Sequence, residues 1–490
     1  MKYDLNKTFD SIAIKDSNIA DGAFSDNLRG AISEILGIGR ASGAGFVDIF
    51  LERREYFSMG SLSGAISSVS PSLSIGVGIR VYHNDQTGYA CTNSLTFASL
   101  VRTLENALSI VGLELPPASS IITPIELEPL RDYVKSANKL EYYNRLPTSD
   151  EIKDKMLRID ESLASKVSHV ESVTGRYFHD IQEVLVASTE GVFARDLRLN
   201  SRLGCQVLAQ QDDHRTSIHR AFGYTAYSDF LTDINETELA EDIAKSAGNM
   251  LTAKFVEAGE YPVVLGNAFG GVIFHEACGH LLETTQVAKK SSPFTDSKGE
   301  LIANEAVTAW DEGHTAKGYG SIHMDDEGMP SQKTLLIENG VLKNFLADRI
   351  GSVKTGHPRT GSGRKENYTF APASRMRNTW LAPGKNTREE LIASVDEGIY
   401  CEHLGGGSVN PTGDFNFAAS EAWKIKNGAL VEPLKGATLV GSAKDILKQI
   451  SMCANDLSIS AGHCGSISGT VYTTVGQPHI KVDKITIGGR

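Results

Sequence analysis

Cysteine is scarce in this 490-residue sequence: Cys91, Cys205, Cys278, Cys401, Cys453 and Cys464 are scattered along the chain. Such spacing does not make a disulfide framework, so these residues are read as core, metal-binding or catalytic thiols of a reducing compartment. Long apolar runs are also missing. The most apolar stretch, YPVVLGNAFGGVIF (Tyr261 to Phe274), is broken by Asn267 and three glycines and is too short to span a bilayer. The opening MKYDLNKTFDSIAIKDSN has no apolar h-region and no small-residue cleavage site, which makes the cytoplasm the expected location. No basic cluster appears, and the net charge is −12, so extended contact with a phosphate backbone is not expected and nucleic acid is excluded as a direct partner. Fixed-period repeats and low-complexity segments are absent too.

What remains is a globular composition, 41% hydrophobic and 22% charged, on a chain long enough for about three domains. Residues 1–113 read as an α+β unit. DNLRGAISEILGIG spaces Leu28, Ile32, Ile35 and Leu36 for one helix face, strand-like runs follow in VDIFLERREY, GAISSVS and SIGVGIRVYHNDQTGYACT, and LTFASLVRTLENALSIVG is a second helix. Proline-bearing residues 114–147 suit an irregular linker. Residues 148–254 read as a central α+β unit. Its first helix, TSDEIKDKMLRIDESLAS, is capped near Thr148, Ser149 or Asp150. Antiparallel strands follow, VSHVESVTGRYF, IQEVLVASTEGVFARDLR and SRLGCQVLAQQDD, and ETELAEDIAKSAGNMLTA closes the unit as a helix. Residues 255–490 form a larger β-rich unit in which LLIENGVLKNFL and WKIKNGALV each place Asn-Gly between apolar arms, a hairpin signal. The expected fold class is therefore α+β: N-terminal and central α/β modules with antiparallel sheets, then a β-rich C-terminal domain carrying the helix discussed next.

That helix is VIFHEACGH. His275 and His280 stand five apart, which on a regular helix separates them by roughly 140°, whereas the four-residue spacing of H-E-x-x-H would bring both onto one ion. As ordinary polar residues on a short helix they need no partner. The apolar approach to the pair favours a buried site, because a buried imidazole or carboxylate is costly without one. One wider i→i+5 turn would return both rings to the same side, and the small residues Ala277, Cys278 and Gly279 suit that distortion. A hydrolytic zinc site needs a third protein ligand and an open position. Cys278, Glu283, Glu300, Glu305, His463 and Cys464 all compete for that place. Glu276, one residue from a ligand, is read as the general base that takes a proton from zinc-activated water; its alternative is a helix-surface glutamate.

HEACGH, IHMDDEGMPSQKTLLIENGVLKNFLADR, LGGGSVNPTGDFNFAASEAWKIKNG and GHCGSISGTVYTTVGQPHIKVDKITIGGR resemble, in this order, segments of the TldD/PmbA family, the modulators of DNA gyrase. FVDIFLERRE and SIGVGIRVYHNDQTGYACTN extend the likeness toward the N-terminus. The family's TldD-like branch has H-E-x-x-x-H and is regarded as a zinc metalloprotease, and its PmbA (TldE) branch lacks the motif and serves as partner. The resemblance implies His275, His280 and Cys464 as ligands of one Zn2+ per active subunit, Cys464 standing in the G-x-C-G-like turn. It further implies an unfolded or extended peptide substrate and a dimer, either of like chains or with a PmbA/TldE-like subunit. His403 and His463 match no family ligand and are read as bystanders.

For substrate contact, Gly405, Gly406 and Gly407 would let a peptide backbone come close, or form only a flexible turn. Arg364 would orient a substrate carboxylate, or lie in a surface loop. The rival functions are a silent scaffold or adaptor with a structural metal, and a zinc amidase acting on non-peptide amides.

Overall fold

The computed structural model describes residues 26–136, 141, 145–225, 229–410 and 413–489. The opening stretch read for a targeting signal lies outside them. The first helix, Asp26–Ala41, buries Leu28, Ile32, Ile35 and Leu36, the face that its spacing predicts. It packs with the helix Phe97–Ile110, capped by Thr96, on one face of an antiparallel sheet. The strands of that sheet are β1 (Phe46–Leu62), β2 (Ala65–His83), β3 (Gln86–Thr92), β4 (Arg131–Asp132), β5 (Val170–Ser188), β6 (Phe193–Gln211) and β7 (His214–Thr225).

β1 pairs with both β2 and β5, so the first two sequence units share a single sheet in the order β3-β2-β1-β5-β6-β4, with β7 also on β6. Two apolar clusters rest on it. One lies under the two helices just named, and the other under the helices Ser149–Lys166 and Glu236–Thr252. Thr148 and Glu151 form the capping box that starts the former, and Asn235 caps the latter.

The strands run longer than the sequence reading. GAISSVS and SIGVGIRVYH are one strand, because Pro71 sits where β3 does not reach and a missing N–H costs nothing on an open edge. VSHVESVTGRYF and IQEVLVAS also merge into β5, whose centre, His179 and Asp180, stays paired on both sides. Within the expected linker, Arg131 and Asp132 add a short parallel strand to β6.

The C-terminal unit holds an eight-stranded and a six-stranded sheet around one large apolar cluster. Both Asn-Gly pairs turn hairpins as expected: Asn339 and Gly340 (φ 49° and 81°), then Asn427 and Gly428 (φ 54° and 72°). The strand Gly259–Leu265 is interior to the larger sheet, with Val263, Val264 and Leu265 fully buried. The smaller sheet ends on the hairpin Ser458–Ser466 and Gly469–Gln477. No helix among the described residues is long and apolar enough to cross a membrane.

Buried charge joins the N-terminal sheet to this unit. Arg80 of β2 holds Asp48 of β1 and, at 2.8 Å, Glu327 of the C-terminal unit, and Arg198 of β6 holds Asp326 at 2.6 Å. Removing one member leaves the others charged and dry, a loss of about 3–5 kcal/mol. Arg80→Met is therefore expected to lower the urea midpoint strongly, whereas Arg215→Met, which breaks an exposed pair with Glu171, leaves it nearly unchanged. Equal midpoints for the two variants would contradict this account of the joint.

Candidate metal centre

The site begins where the buried strand Gly259–Leu265 ends. The chain turns through Ala268–Gly271 into the helix Val272–Ala277. Two glycines set how close that helix sits to the terminal hairpin. A Cβ at Gly271 would stand 2.7 Å from the backbone of Gly476, and one at Gly270 would stand 2.5 Å from the Gln477 amide. Only a bare backbone permits that approach, and it brings His275 and His280 to the hairpin that carries Cys464.

The expected wider turn between the histidines is not what forms. The helix ends at Cys278, whose φ of −129° and ψ of −49° leave the helical region, and a tighter 3-10 turn runs from Gly279 to Leu282. Cys278 N–H still donates to Phe274 O (2.9 Å), and Leu281 N–H turns back to Cys278 O (2.9 Å). A break resets the angular phase as effectively as an added residue per turn would, and Gly279 permits it because a Cβ there would meet the Met376 sulfur at 2.0 Å. The rings of His275 and His280 end 5.0 Å apart, nearly perpendicular.

Cys464 Sγ lies 3.2 Å from His280 Nε2, and one donor atom from each of His275, His280 and Cys464 falls within 4.8 Å of the others. Donors sharing one zinc sit roughly 3.3–3.7 Å apart, given bond lengths of about 2.0–2.3 Å. The donor set fits the ion: two imidazoles and one thiol leave a fourth position open, and His275 Nδ1 is buried with no hydrogen-bond partner. No other group of this kind occurs among the described residues.

The other candidates for the third place fall away. Cys278 is fully buried in the apolar cluster, where burial pushes its thiol far above the ordinary value. Glu300 and Glu305 are exposed and outside the donor group. His463 precedes Cys464 on the strand but faces away, accepting at Nδ1 from Arg202 (2.6 Å). His403, held by burial and Arg220 at about 4, is also outside the donor group.

Glu283, weighed above as a ligand, does something else. Its buried carboxylate takes His280 Nδ1 at 3.2 Å, which fixes the tautomer and leaves Nε2 toward the sulfur. The H-x-x-E spacing carried that signal, since residues three apart share a side. Arg375, unnoticed in the sequence, donates to the carbonyl of Cys464 and, at 3.0 and 2.8 Å, to Ser468 and Gly469, so it braces the hairpin end. Burial opposes ionisation of Cys464, but His280 and His275 outweigh it and hold the thiol well below its usual value. Burial likewise opposes protonation of His280, and Glu283 and Cys464 outweigh it. The imidazole and the thiol thus each favour the other's charged form. Glu276, one-fifth exposed, places its carboxylate 3.7 Å from His280 Nε2.

The expected substrate contacts fare differently. Arg364 is buried, and its guanidinium donates to the carbonyls of Met376 (2.7 Å) and Tyr472 (2.8 Å), so it is neither a surface-loop residue nor free to orient a carboxylate. Burial lowers its pKa to about 9. Gly407 packs against the Phe417 ring, where a Cβ would come within 1.9 Å. Gly405 packs against Ala418, whose carbonyl oxygen a Cβ would meet at 3.4 Å, and Gly406 alone of the three has open space beside its backbone.

These features define a class: a chain of three modules whose last one gathers two imidazoles, a thiol and a carboxylate from a broken helix and a terminal hairpin. Residues 258–489 match the PmbA/TldA metallopeptidase C-terminal domain, 142–251 the central domain and 47–111 domain 1. The chain belongs to the PmbA/TldD metallopeptidase family. It is 35% identical to the metalloprotease TldD homolog of Buchnera aphidicola subsp. Acyrthosiphon pisum, covering 84% of this chain and 86% of that one. It is 34% identical to the metalloprotease TldD homolog of Haemophilus influenzae, covering 91% and 93%. The zinc metalloprotease TldD homolog of Saccharolobus solfataricus is 28% identical over 91% of this chain and 97% of its own. Among solved structures, TldE from Thermococcus kodakarensis superposes with a TM-score of 0.74 at 19% identity, covering 94% of this chain and all of that one. A putative modulator of DNA gyrase from Thermotoga maritima gives 0.73 at 22% identity, with the same coverage.

Glu283→Gln keeps the shape of the residue that holds His280 but removes its charge. Zinc affinity, read by competition with a chromophoric chelator, is expected to fall about 10–100-fold. Unchanged affinity would mean that Glu283 does not orient the ligand.

Proposed function

We propose that this chain is a zinc-dependent metallopeptidase that hydrolyses unfolded or extended peptides, with His275, His280 and Cys464 as ligands of one ion and Glu276 as general base. The observation that carries this reading is the position of Glu276, whose partly exposed carboxylate stands 3.7 Å from His280 Nε2, beside the donor set. A structural site has no use for a base there. When bound, zinc supplies Lewis acidity toward the scissile carbonyl and brings the pKa of the attacking water toward about 7. Glu276 takes a proton from that water as its oxygen adds to the carbonyl carbon, then delivers it to the amine nitrogen as the C–N bond breaks. Glu283 keeps His280 oriented through both events.

An extended substrate suits the surroundings. Among the described residues the strand Ser458–Ser466 ends the six-stranded sheet and pairs there only with Gly469–Gln477, so a peptide can join its other edge as a further strand. Pairing with a second subunit, like or TldE-like, belongs to the same reading; its support is that TldE shares this fold. A cytoplasmic location is supported by six thiols, all free.

Glu276→Gln tests the mechanism without disturbing the ligands. The variant is expected to keep one zinc per chain by elemental analysis and to cleave an unfolded reporter peptide about 10²–10⁴-fold more slowly. Equal cleavage by variant and parent would end the proposed role of Glu276. Failure of both to cleave, with zinc bound, would favour the scaffold reading.

A further inference from the structure

On the other face of the strand that carries Cys464 lies a cavity of about 410 Å³, large enough for a small ligand or a few residues of a peptide. β1, β5, β6 and β7 form one wall and the terminal hairpin forms the other. Consecutive strand residues point to opposite faces, so His463 enters the cavity while Cys464 turns to the donor set.

The charge in this cleft is unbalanced. Arg54 is already committed, donating to both oxygens of Asp180 at 2.9 and 2.6 Å, and Tyr472 donates to the same carboxylate at 2.6 Å. Arg202, deeper in, and Arg176, exposed at the rim, have no carboxylate within ion-pair distance among the described residues. Arg202 instead donates to the neutral ring of His463, which must accept at Nδ1 and so carries its proton on Nε2, 3.4 Å from the Tyr319 hydroxyl. Burial and Arg202 hold His463 at about 4, and burial foremost lowers His219, so neither adds charge at neutral pH. With Arg54 taken by Asp180, Arg202 and Arg176 are the cleft arginines that no carboxylate pairs, and Glu366 is the acidic side chain lining it. Inside the cleft the fork of Arg202 meets only an imidazole, and its remaining N–H groups are available to an anion. Beside it, Tyr56 and Phe178 stack at 5.6 Å, and Phe178 and Tyr472 at 6.3 Å, an apolar wall for an attached side chain.

We propose that this cleft is a subsite for a carboxylate of the bound peptide, gripped by Arg202 and Arg176 with its neighbouring side chain against Tyr56, Phe178 and Tyr472. The guanidinium fork matches the planar pair of oxygens of a carboxylate, and the aromatic wall suits the side chain attached to it. This inference rests on the reading that an extended peptide lies along the other edge of Ser458–Ser466, away from Gly469–Gln477. Such a peptide sends alternate side chains to the Cys464 face and the His463 face. The carboxylate comes either from the peptide's own C-terminus or from an acidic side chain.

Binding measured on zinc-loaded Glu276→Gln protein, which does not need turnover, tests the subsite apart from the peptidase reading. Fluorescent peptides of one neutral sequence would carry a free C-terminal carboxylate, a C-terminal amide, or an amide end with one internal glutamate. At least one anionic peptide is expected to bind about tenfold more tightly than the neutral amide, and whichever does so identifies the source. Adding Arg202→Gln or Arg176→Gln should remove that preference and leave the neutral amide unaffected. The exposed Arg176 position serves as the variant least able to disturb folding. Equal binding of all three peptides, or an equal loss for all three in both arginine variants, would overturn the subsite. Inorganic phosphate competing as well as acetate at equal concentration would also count against a carboxylate site.

Discussion

The distance between two pieces of backbone governs this molecule's chemistry. His275 and Cys464, almost two hundred residues apart, can meet only if the helix Val272–Ala277 lies directly on the strand Gly469–Gln477, and Gly270 and Gly271 are where that contact is made. Any side chain at Gly271 would push against main chain, which cannot swing aside as a flexible side chain can. The shift would pass to His275 and His280 and open the gap to Cys464. Behind the helix, the interior strand Gly259–Leu265 anchors one end, and Arg375 braces the hairpin at the other. The donor set is therefore a consequence of core packing, and its geometry is held by residues that never touch it.

Holding three such groups together without an ion is costly, and the electrostatics show how the chain bears it. Burial penalises a charged imidazole and a charged thiolate separately, yet each favours the other's charged form. Glu283 adds a second anion on the far side of His280, so the ring is held between two negative groups. Zinc would replace the proton on Nε2 while Nδ1 keeps its hydrogen bond to Glu283. The carboxylate of Glu283 thus holds the His280 ring in the orientation that a metal would use.

Much of this was legible in the sequence, and the losses have physical causes. Helix faces, caps and Asn-Gly turns depend on neighbours a few residues away, so Leu28 to Leu36, a cap within Thr148 to Asp150, and Asn339-Gly340 were readable directly. Strand extent was not, because β5 is continuous through His179 and Asp180 only by virtue of partners on both sides that lie far away in the chain. The histidine pair announced a helix irregularity without revealing its kind: a break at Cys278 and a wider turn both restore phase, and sequence spacing does not distinguish them. Cys464 could not be chosen from its rivals by residue type, since its claim lies in a contact across the fold; family resemblance raised it, and the geometry brings its sulfur to His280. Arg364 was misjudged for the reverse reason. A polar stretch such as GSGRKENY looks like a surface loop, and only the fold shows main-chain carbonyls waiting for the guanidinium.

The terminal hairpin links these observations, because a strand at a sheet edge has two faces and one open side. Its Cys464 face closes the donor set against the broken helix, and its His463 face closes the cleft against β1, β5 and β6. The two faces are rigidly coupled through one backbone, and Tyr472, opposite His463, ties that backbone to Asp180 of the N-terminal sheet. A displacement of the N-terminal sheet relative to the C-terminal unit would therefore be felt at the sulfur as well as in the cleft. This gives the buried ion pairs between the units a second consequence beyond stability: Arg80 with Glu327 and Arg198 with Asp326 fix the wall facing the hairpin, and through it the position of Cys464. The β-rich unit carries the donors, but the N-terminal sheet is what keeps their third member in place.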